Sequence, residues 1–159
     1  MPKITPFLWF NKDAAQAARF YTSIFKHSEI LSVSPMSVSF VLEGQHFHAF
    51  NGGPHFTFTP AISLFVDCKD QAEVDALWNK LVKGGKPSRC GWLTDKYGLS
   101  WQIIPKALGK AFGGSDRAGA ARAREAMMGM IKIDVKAIEA AYRGTPAPKA
   151  RPAKRRARA

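Results

Sequence analysis

The 159-residue sequence predicts an α+β fold in which two βαβββ repeats form a curled mixed sheet with a central pocket. Three observations support this. Residues 7–25 resemble residues 64–82 at an offset of 57, apolar and polar residues alternate after each copy, and 46% of the residues are hydrophobic. A C-terminal helix and a disordered basic tail are expected to follow. We assign residues 1–112 to the domain, 113–144 to a helical extension and 145–159 to the tail.

Each repeat begins with a short apolar strand that ends at a Lys-Asp pair. The two copies span residues 7–13 and 64–70. Apolar residues recur at helical spacing after each pair, which predicts two amphipathic helices. Asp13 and Asp70 are the predicted N-caps, because a carboxylate there accepts hydrogen bonds from free amide groups.

Strands are predicted after each helix, because apolar and polar residues then alternate. In the first repeat residues 37–42 lead through the turn Glu43-Gly44 into residues 45–50. In the second repeat residues 91–94 lead through a turn at 95–98 into residues 99–104. Asn51-Gly52-Gly53-Pro54 is the predicted loop between the copies.

The extension carries apolar residues at helical spacing: Met127, Met130, Ile131, Val135 and Ile138. One long helix, or two helices broken near Gly129 or Asp134, would fit this pattern. An isolated helix of this kind is marginally stable, so we expect its apolar stripe to dock on the domain or on a second subunit.

The formal net charge of +12 is unevenly distributed. Residues 1–112 carry 12 basic and eight acidic side chains, and residues 113–144 carry six and four. The tail holds six basic side chains and no acidic one: Lys149, Arg151, Lys154, Arg155, Arg156 and Arg158. Such a tail fits either a solvated segment or nonspecific contact with nucleic acid, and we favour the solvated segment.

Composition also bounds the compartment and the cysteine chemistry. No apolar run approaches the roughly 18 residues of a membrane span, and no secretory leader is evident, so we expect a cytoplasmic protein without membrane contact. Cys68 and Cys90 are too few for a disulfide framework and are interpreted as reduced thiols. Cys90 is expected to be a buried structural thiol.

Several motifs, in this order, resemble a known family. The chain is similar to the PhnB-like branch of the vicinal-oxygen-chelate (glyoxalase and bleomycin-resistance) superfamily, often labelled 3-demethylubiquinone-9 3-methyltransferase-like. The resemblance covers roughly residues 3–112 and is carried by Leu8-Trp9-Phe10, Phe20-Tyr21-Thr22-Ser23-Ile24-Phe25, Asn51-Gly52-Gly53-Pro54, Cys90-Gly91-Trp92-Leu93 and Gly98-Leu99-Ser100-Trp101-Gln102.

The resemblance implies a pocket enclosed by the two halves and, in metal-dependent relatives, four ligands on the first and last strands of each half. Those positions correspond here to Thr5, His48, Ala61 and Gln102. Only His48 is a good metal ligand, and Thr5 and Ala61 are poor ones. We therefore expect no cofactor and no catalytic metal.

Strand alternation places every second residue on one face, which predicts the pocket lining. We assign the face that carries these four positions to an aromatic pocket for a small organic ligand. The predicted lining residues are Thr5, Phe7, Trp9, His46, His48, Phe50, Ser63, Phe65, Ser100 and Gln102. No catalytic residue is assigned, and filling of the core by the same aromatics is the alternative.

The sequence supports three functional hypotheses. The leading one is a homodimeric, metal-free protein that binds a small molecule. The second is an enzyme of the superfamily, either a metal-dependent lyase, isomerase or dioxygenase, or a protein like the 3-demethylubiquinone methyltransferase of the family label. The third is a nucleic-acid-associated protein that acts through the basic tail.

Overall fold

A computed structural model describes residues 2–149 of the chain. Two βαβββ halves are followed by three helices. The first half consists of β1 (Phe7–Phe10), α1 (Ala14–Ile24), β2 (Glu29–Val33), β3 (Ser37–Leu42) and β4 (Gln45–Asn51). The second half consists of β5 (Ser63–Cys68), α2 (Gln71–Val82), β6 (Lys86–Pro87), β7 (Trp92–Thr94) and β8 (Ser100–Pro105). The last helices are α3 (Lys106–Phe112), α4 (Arg117–Met128) and α5 (Val135–Arg143).

The strands form two separate four-stranded sheets, and neither sheet closes. Sheet 1 has the order β1-β4-β3-β2, and sheet 2 has the equivalent order β5-β8-β7-β6. In each sheet the first strand is parallel to the last strand of its half, while the hairpin strands are antiparallel. The predicted α+β fold with two βαβββ repeats is therefore confirmed.

The strands and helices of the two halves are related by different offsets. The strands are 58 positions apart, because Phe10 pairs with the last residue of β4 and Cys68 with the last residue of β8. The helices are 57 positions apart, because α1 begins at Ala14 and α2 at Gln71. One fewer residue separates strand and helix in the second half. The offset of 57 is thus wrong for the strands, and Phe7 corresponds to Phe65.

The two predicted N-caps differ in what their side chains do. Asp70 caps α2 by accepting a hydrogen bond from the Glu73 amide at 2.9 Å. Asp13 precedes α1 but makes no capping hydrogen bond with its side chain. Instead, Asn51 from the end of β4 accepts a hydrogen bond from the Ala14 amide at 2.9 Å. A residue distant in sequence therefore caps α1, and the prediction for Asp13 is corrected.

The two halves pack against each other through the sides that carry α1 and α2. One continuous core contains buried residues of both halves, including Tyr21 and Phe40 from the first and Leu81 and Trp101 from the second. The Tyr21 and Trp101 rings lie 5.3 Å apart, and the Phe25 ring stacks on Trp101 at 5.4 Å. Sheets 1 and 2 therefore stand back to back, with the helices between them.

A buried carboxylate lies at this junction. Asp95, in the β7–β8 turn, is 2% exposed and accepts hydrogen bonds from the Tyr21 hydroxyl at 2.7 Å and the Trp101 indole at 2.8 Å. Its second oxygen accepts from the amides of Tyr97 and Leu99 at 2.8 and 3.1 Å. Four donors satisfy this carboxylate, and Tyr21 is the donor that comes from the other half.

The helical extension folds back onto the second half. Helices α4 and α5 are separated at residues 129–134, which confirms the version of the prediction with two helices. A second core contains Ile104 of β8 together with Ile133 and Ile138 of the extension. Met127, Met130 and Ile138 of the apolar stripe therefore dock on the domain, whereas Val135 and Ile131, which is 54% exposed, do not join this core.

Gln71 fixes the extension through its side-chain amide. The amide nitrogen donates to the Ile133 carbonyl at 3.0 Å, and its oxygen accepts from the Val135 amide at 2.7 Å. A Lys132–Asp75 ion pair of 2.7 Å adds to this contact, and hydrogen bonds from Lys132 and Gln71 outweigh the effect of burial and lower the pKa of Asp75. The extension is thus held at the N-terminal end of α2.

The structure contains one helix more than the sequence predicted. Helix α3 was not predicted, and its Leu108 and Ala111 pack in the same small core as α4 and α5. Residues 145–149 have no regular secondary structure, and the remainder of the predicted disordered tail lies outside the described residues. None of the helices within residues 2–149 has the length and apolar character that crossing a membrane requires.

Replacing Tyr21 with Phe tests the contact between the halves. We expect Tyr21→Phe to lower the free energy of unfolding by about 1.5–3 kcal/mol, because a hydrogen bond to a buried carboxylate is lost. Urea denaturation measures this change. Tyr142→Phe is the control, since the Tyr142 hydroxyl accepts only an exposed 3.2 Å bond from the Asp116 amide. Equal effects of both substitutions would contradict the role given to Asp95.

The same pair of variants has a pH signature. Burial, followed by the negative charge of Asp95, raises the pKa of Tyr21 well above its usual value near 10. The stability that the protonated Tyr21 hydroxyl contributes is therefore present below pH ~10. It is lost as the pH rises further, because the unfolded chain then releases a proton that the folded chain retains. Tyr21→Phe should lose less stability above pH ~10 than the unsubstituted protein.

Candidate functional site

The outer face of sheet 1, which points away from α1, carries the first set of predicted site residues. Alternation along β1 sends Leu8 and Phe10 into the core and leaves Phe7 and Trp9 on this face. Phe7 is paired with His48 and Trp9 with Phe50, so the four side chains share the face. Their rings lie 5.0–6.3 Å apart in the contacts Phe7–His48, Phe7–Phe50 and Trp9–Phe50.

Two glycines and a loop aromatic hold the Trp9 indole in place. A Cβ at Gly52 would lie 2.2 Å from the Trp9 ring, so only glycine leaves room for the indole there. The Trp9 indole nitrogen donates to the Gly53 carbonyl at 2.9 Å. Phe56 packs edge-on against Trp9 at 5.0 Å while remaining 65% exposed. Phe7, Trp9, Phe50 and Phe56 together form an aromatic wall on the outer face of sheet 1.

His48 is the polar group of this wall. Its Nδ1 lies 2.8 Å from the hydroxyl of Ser39, the residue paired with it on β3. This hydrogen bond orients the ring and leaves Nε2 as the nitrogen that can bind a ligand. His46 lies two residues away on the same face and is half-buried, paired with Val41.

The outer face of sheet 2 carries the second set of predicted residues. Phe65 is paired with Gln102 and Ser63 with Ser100, so all four share one face. The Gln102 amide nitrogen donates to the Ser63 hydroxyl at 2.9 Å. Phe65 is 60% exposed, whereas Ser100 is buried. This face is therefore polar at its centre, with one exposed aromatic ring beside it.

The two predicted sets do not meet within one chain. Each set lies on the face of its sheet that points away from the shared core, and no hydrogen bond or ring contact within residues 2–149 joins them. Phe7 and Phe65 occupy equivalent positions on β1 and β5, each at the free edge of its sheet. Both rings are more than half exposed, at 64% and 60%. We refer to these two outer faces, each with its predicted residues, as the two candidate half-sites.

A groove of about 850 Å³ lies between the halves and is distinct from the aromatic wall. Phe25 and Phe47 line it from the first half, and Leu64, Leu77 and Trp101 line it from the second. Of the ten predicted pocket residues, only Ser63 and Phe65 reach this groove.

The chemistry of the four family positions does not fit a metal site. Thr5 and Ala61 precede β1 and β5, and the strand offset of 58 makes Ser63, not Ala61, the counterpart of Thr5. Alanine offers no ligand atom, and the hydroxyls of Thr5 and Ser63 are poor metal ligands. His48 and Gln102 remain, and the Gln102 amide is already bonded to Ser63. Within the described part of the chain, no group of three or more His, Cys, Asp or Glu side chains is placed to hold a metal ion. Two donors are too few for the tight sites that zinc forms in proteins.

Neither cysteine is part of the two half-sites. Cys68 is fully buried, and burial, followed by the negative charges of Glu73 and Asp67, raises the pKa of its thiol to about 12. Such a thiol stays protonated and unreactive near neutral pH. Cys90 is half-buried rather than buried as predicted, because it lies in a turn and not in a strand or helix that faces the core. Its φ is 58°, and its amide donates to the Met130 carbonyl.

Sequence reasoning missed Phe56 of the aromatic wall and Ser39, the hydrogen-bond partner of His48. Ser39 was identifiable in principle, because alternation along β3 places it on the same face as the histidines across the hairpin. Phe56 lies in the irregular linker, where no periodicity reports the direction of a side chain. His27 and His55 are exposed and lie outside both half-sites.

Two open four-stranded sheets, each derived from one βαβββ unit and each carrying predicted site residues on its outer face, define a glyoxalase-like fold. The sequence model described as 3-demethylubiquinone-9 3-methyltransferase matches residues 2–104. The chain belongs to this family. The helices α3, α4 and α5 begin beyond the matched residues.

The chain is also similar to several solved structures. The PhnB protein of Bacillus cereus is 38% identical, with a TM-score of 0.62 over 65% of this chain and 99% of that one. Protein PA1353 of Pseudomonas aeruginosa shares the fold at 21% identity, with a TM-score of 0.52 over 64% of this chain and 95% of that one. A glyoxylase/bleomycin resistance protein/dioxygenase domain from Frankia is 16% identical, with a TM-score of 0.42 over 64% of this chain and 94% of that one. No curated protein matches the chain.

Gly52→Ala tests the aromatic wall. We expect a loss of about 1–3 kcal/mol in the free energy of unfolding and a shifted Trp9 indole N–H resonance, because the new methyl group displaces the ring. Urea denaturation and ¹H–¹⁵N NMR measure both effects. Gly109→Ala is the matched control, since a Cβ there meets nothing within 4 Å, and it should leave stability unchanged or slightly raised. An unshifted Trp9 resonance would contradict the packing described.

Proposed function

We propose that this protein binds a planar, aromatic small molecule without a catalytic metal, in a site that two copies of the chain complete. The observation that carries the proposal is the aromatic wall of Phe7, Trp9, Phe50 and Phe56, with His48 oriented by a hydrogen bond at its centre. Binding sites for organic ligands combine such apolar walls with a few fixed polar groups.

The wall favours a flat ligand that carries a polar oxygen. Offset and edge-on contacts between aromatic rings contribute about 0.5–1.5 kcal/mol each beyond the burial of apolar surface. The free Nε2 of His48 is placed on the same face as these rings and can donate to or accept from such an oxygen. Because the family description names a ubiquinone derivative, planar quinols and phenols are the first probes.

The exposure of the two half-sites supports assembly from two chains. Burying a phenylalanine side chain contributes about 1.5–3 kcal/mol, and Phe7 and Phe65 are left mostly exposed at the free edges of their sheets. A twofold arrangement brings sheet 1 of one copy to sheet 2 of the other and forms two identical sites at once. Gln102 and Phe65 of the second copy would then complete the wall.

His48→Ala tests ligand binding. We expect a panel of planar phenols and quinols to contain compounds that raise Tm, and His48→Ala to weaken their binding by about tenfold, or ~1.4 kcal/mol, in calorimetric titrations. His55→Ala is the control, because His55 is exposed outside both half-sites. The proposal fails if no compound binds or if both substitutions act alike.

Mixing two inactive variants tests the shared site. Phe7→Ala/His48→Ala removes the first half-site, and Phe65→Ala/Gln102→Ala removes the second. Each variant alone should not bind, whereas an equal mixture after subunit exchange should recover about a quarter of the sites, since half of the dimers are mixed and each mixed dimer has one intact site. If the mixture stays inactive although mixed dimers form, the site does not span two chains.

Metal analysis separates a binding protein from a metal-dependent enzyme. We expect no stoichiometric metal after equilibration with Ni, Zn, Mn, Fe or Mg, because Thr5 and Ala61 are poor ligands. Elemental analysis of the untagged protein measures this, with His48→Ala as the comparison. About one metal ion per chain that disappears in the variant would favour a metal-dependent enzyme instead.

A further inference from the structure

Positive charge is concentrated in the last third of the chain. Residues 1–105 carry 10 Lys/Arg and eight Asp/Glu, whereas residues 106–159 carry 14 and four. The C-terminal part therefore contributes +10 of the formal net charge of +12. The family match ends at residue 104, so this charge lies beyond the matched residues.

The packing of the extension turns its basic side chains outward. Most of its apolar residues face the domain, and ion pairs with acidic side chains use Lys106, Arg122 and Lys132. Five further basic side chains are exposed and form no ion pair within residues 2–149: Lys110, Arg117, Arg124, Lys136 and Arg143. Residues 106–144 also carry three acidic side chains without an ion pair in the described part of the chain: Glu125, Asp134 and Glu139. With eight basic and four acidic side chains in all, these residues keep a net charge of +4.

The bundle also fixes where the basic tail starts. The Arg122 guanidinium of α4 donates to the carbonyls of Tyr142 and Ala141 at the end of α5, at 2.7 and 2.9 Å. Gly144 then ends α5 with a positive φ of 74°. The chain thus enters its most basic segment next to α4, the helix that also carries Arg117 and Arg124.

We propose that the exposed basic side chains of α3, α4 and α5 form a contact surface for duplex DNA that binds the phosphate backbone without reading the base sequence. The basic residues that follow in the sequence add to its charge. Eight of the 14 basic residues are arginine, whose planar fork binds phosphate oxygens in pairs. The segment 145–159 contains no large apolar residue that would insert into a membrane. This surface is independent of the proposed ligand site.

Salt-dependent binding to DNA tests the proposal. Full-length protein is titrated into a fluorescent 20-base-pair duplex between 50 and 200 mM salt, and anisotropy is measured. We expect a Kd on the order of 10⁻⁶–10⁻⁴ M near physiological salt that rises steeply with salt, with unlabelled duplexes of other sequences competing equally. Two triple variants are compared: Arg117→Gln/Lys136→Gln/Arg143→Gln and Arg155→Gln/Arg156→Gln/Arg158→Gln. Each should reduce, by up to about three, the magnitude of the slope of the logarithm of the binding constant against the logarithm of the salt concentration.

A matched triple variant distinguishes a local surface from general charge. Lys3→Gln/Lys12→Gln/Lys83→Gln removes the same charge from exposed positions of the domain and should change Kd by less than about twofold. The absence of binding at 50 mM salt, or equal weakening by this control, would overturn the proposal. So would tighter binding to vesicles of anionic phospholipid at equal phosphate concentration, because Met128 and Ile131 are also exposed on the extension.

Discussion

The buried carboxylate of Asp95 is the interaction on which the arrangement of the two halves depends. Removing a carboxylate from water is costly unless hydrogen bonds replace its hydration, and Asp95 receives four of them. Two come from the amides of its own turn and one from the neighbouring strand. The fourth comes from Tyr21 of the other half, so separating the halves would leave a buried charge with an incomplete shell.

This contact explains why the candidate site is divided. Because Tyr21 and Trp101 meet through Asp95 on the helix side, sheets 1 and 2 must direct their opposite faces outward. Those outer faces carry the residues with ligand-binding chemistry, namely the aromatic wall around His48 on one sheet and Gln102 with Phe65 on the other. Because the site residues are divided between two faces, Phe7 and Phe65 stay exposed to water at the free sheet edges of a single chain. In the proposed dimer, a second copy of the chain covers them.

Much of the fold follows from local sequence patterns. Alternation predicted which residues of β1, β4, β5 and β8 share a face, and the 3.6-residue period predicted α1 and α2, because both depend only on neighbours in sequence. Contacts between distant segments escaped prediction. Asp95 was interpreted only as a turn residue, Asn51 was not expected to cap α1, and Ser39 was not connected to His48. Each depends on a distance that only the folded chain sets.

The family domain and the extension have separate physical roles in this account. The domain carries the half-sites and little net charge, while the extension covers Ile104 at one end of sheet 2 and carries most of the positive charge. Gln71 joins the two by satisfying both a carbonyl and an amide of the segment between α4 and α5. The proposed ligand binding and the proposed DNA contact can therefore be tested independently by substitution.

The most direct test of the central claim is an isotope-filtered NOE experiment on an equal mixture of ¹³C-labelled and unlabelled protein. A site shared by two copies should give intermolecular cross peaks between the Phe7 or His48 ring of one copy and the Phe65 or Gln102 side chain of the other. If cross peaks between these side chains are absent, or arise only within a single labelled chain, the outer faces do not combine across two copies and the account is contradicted.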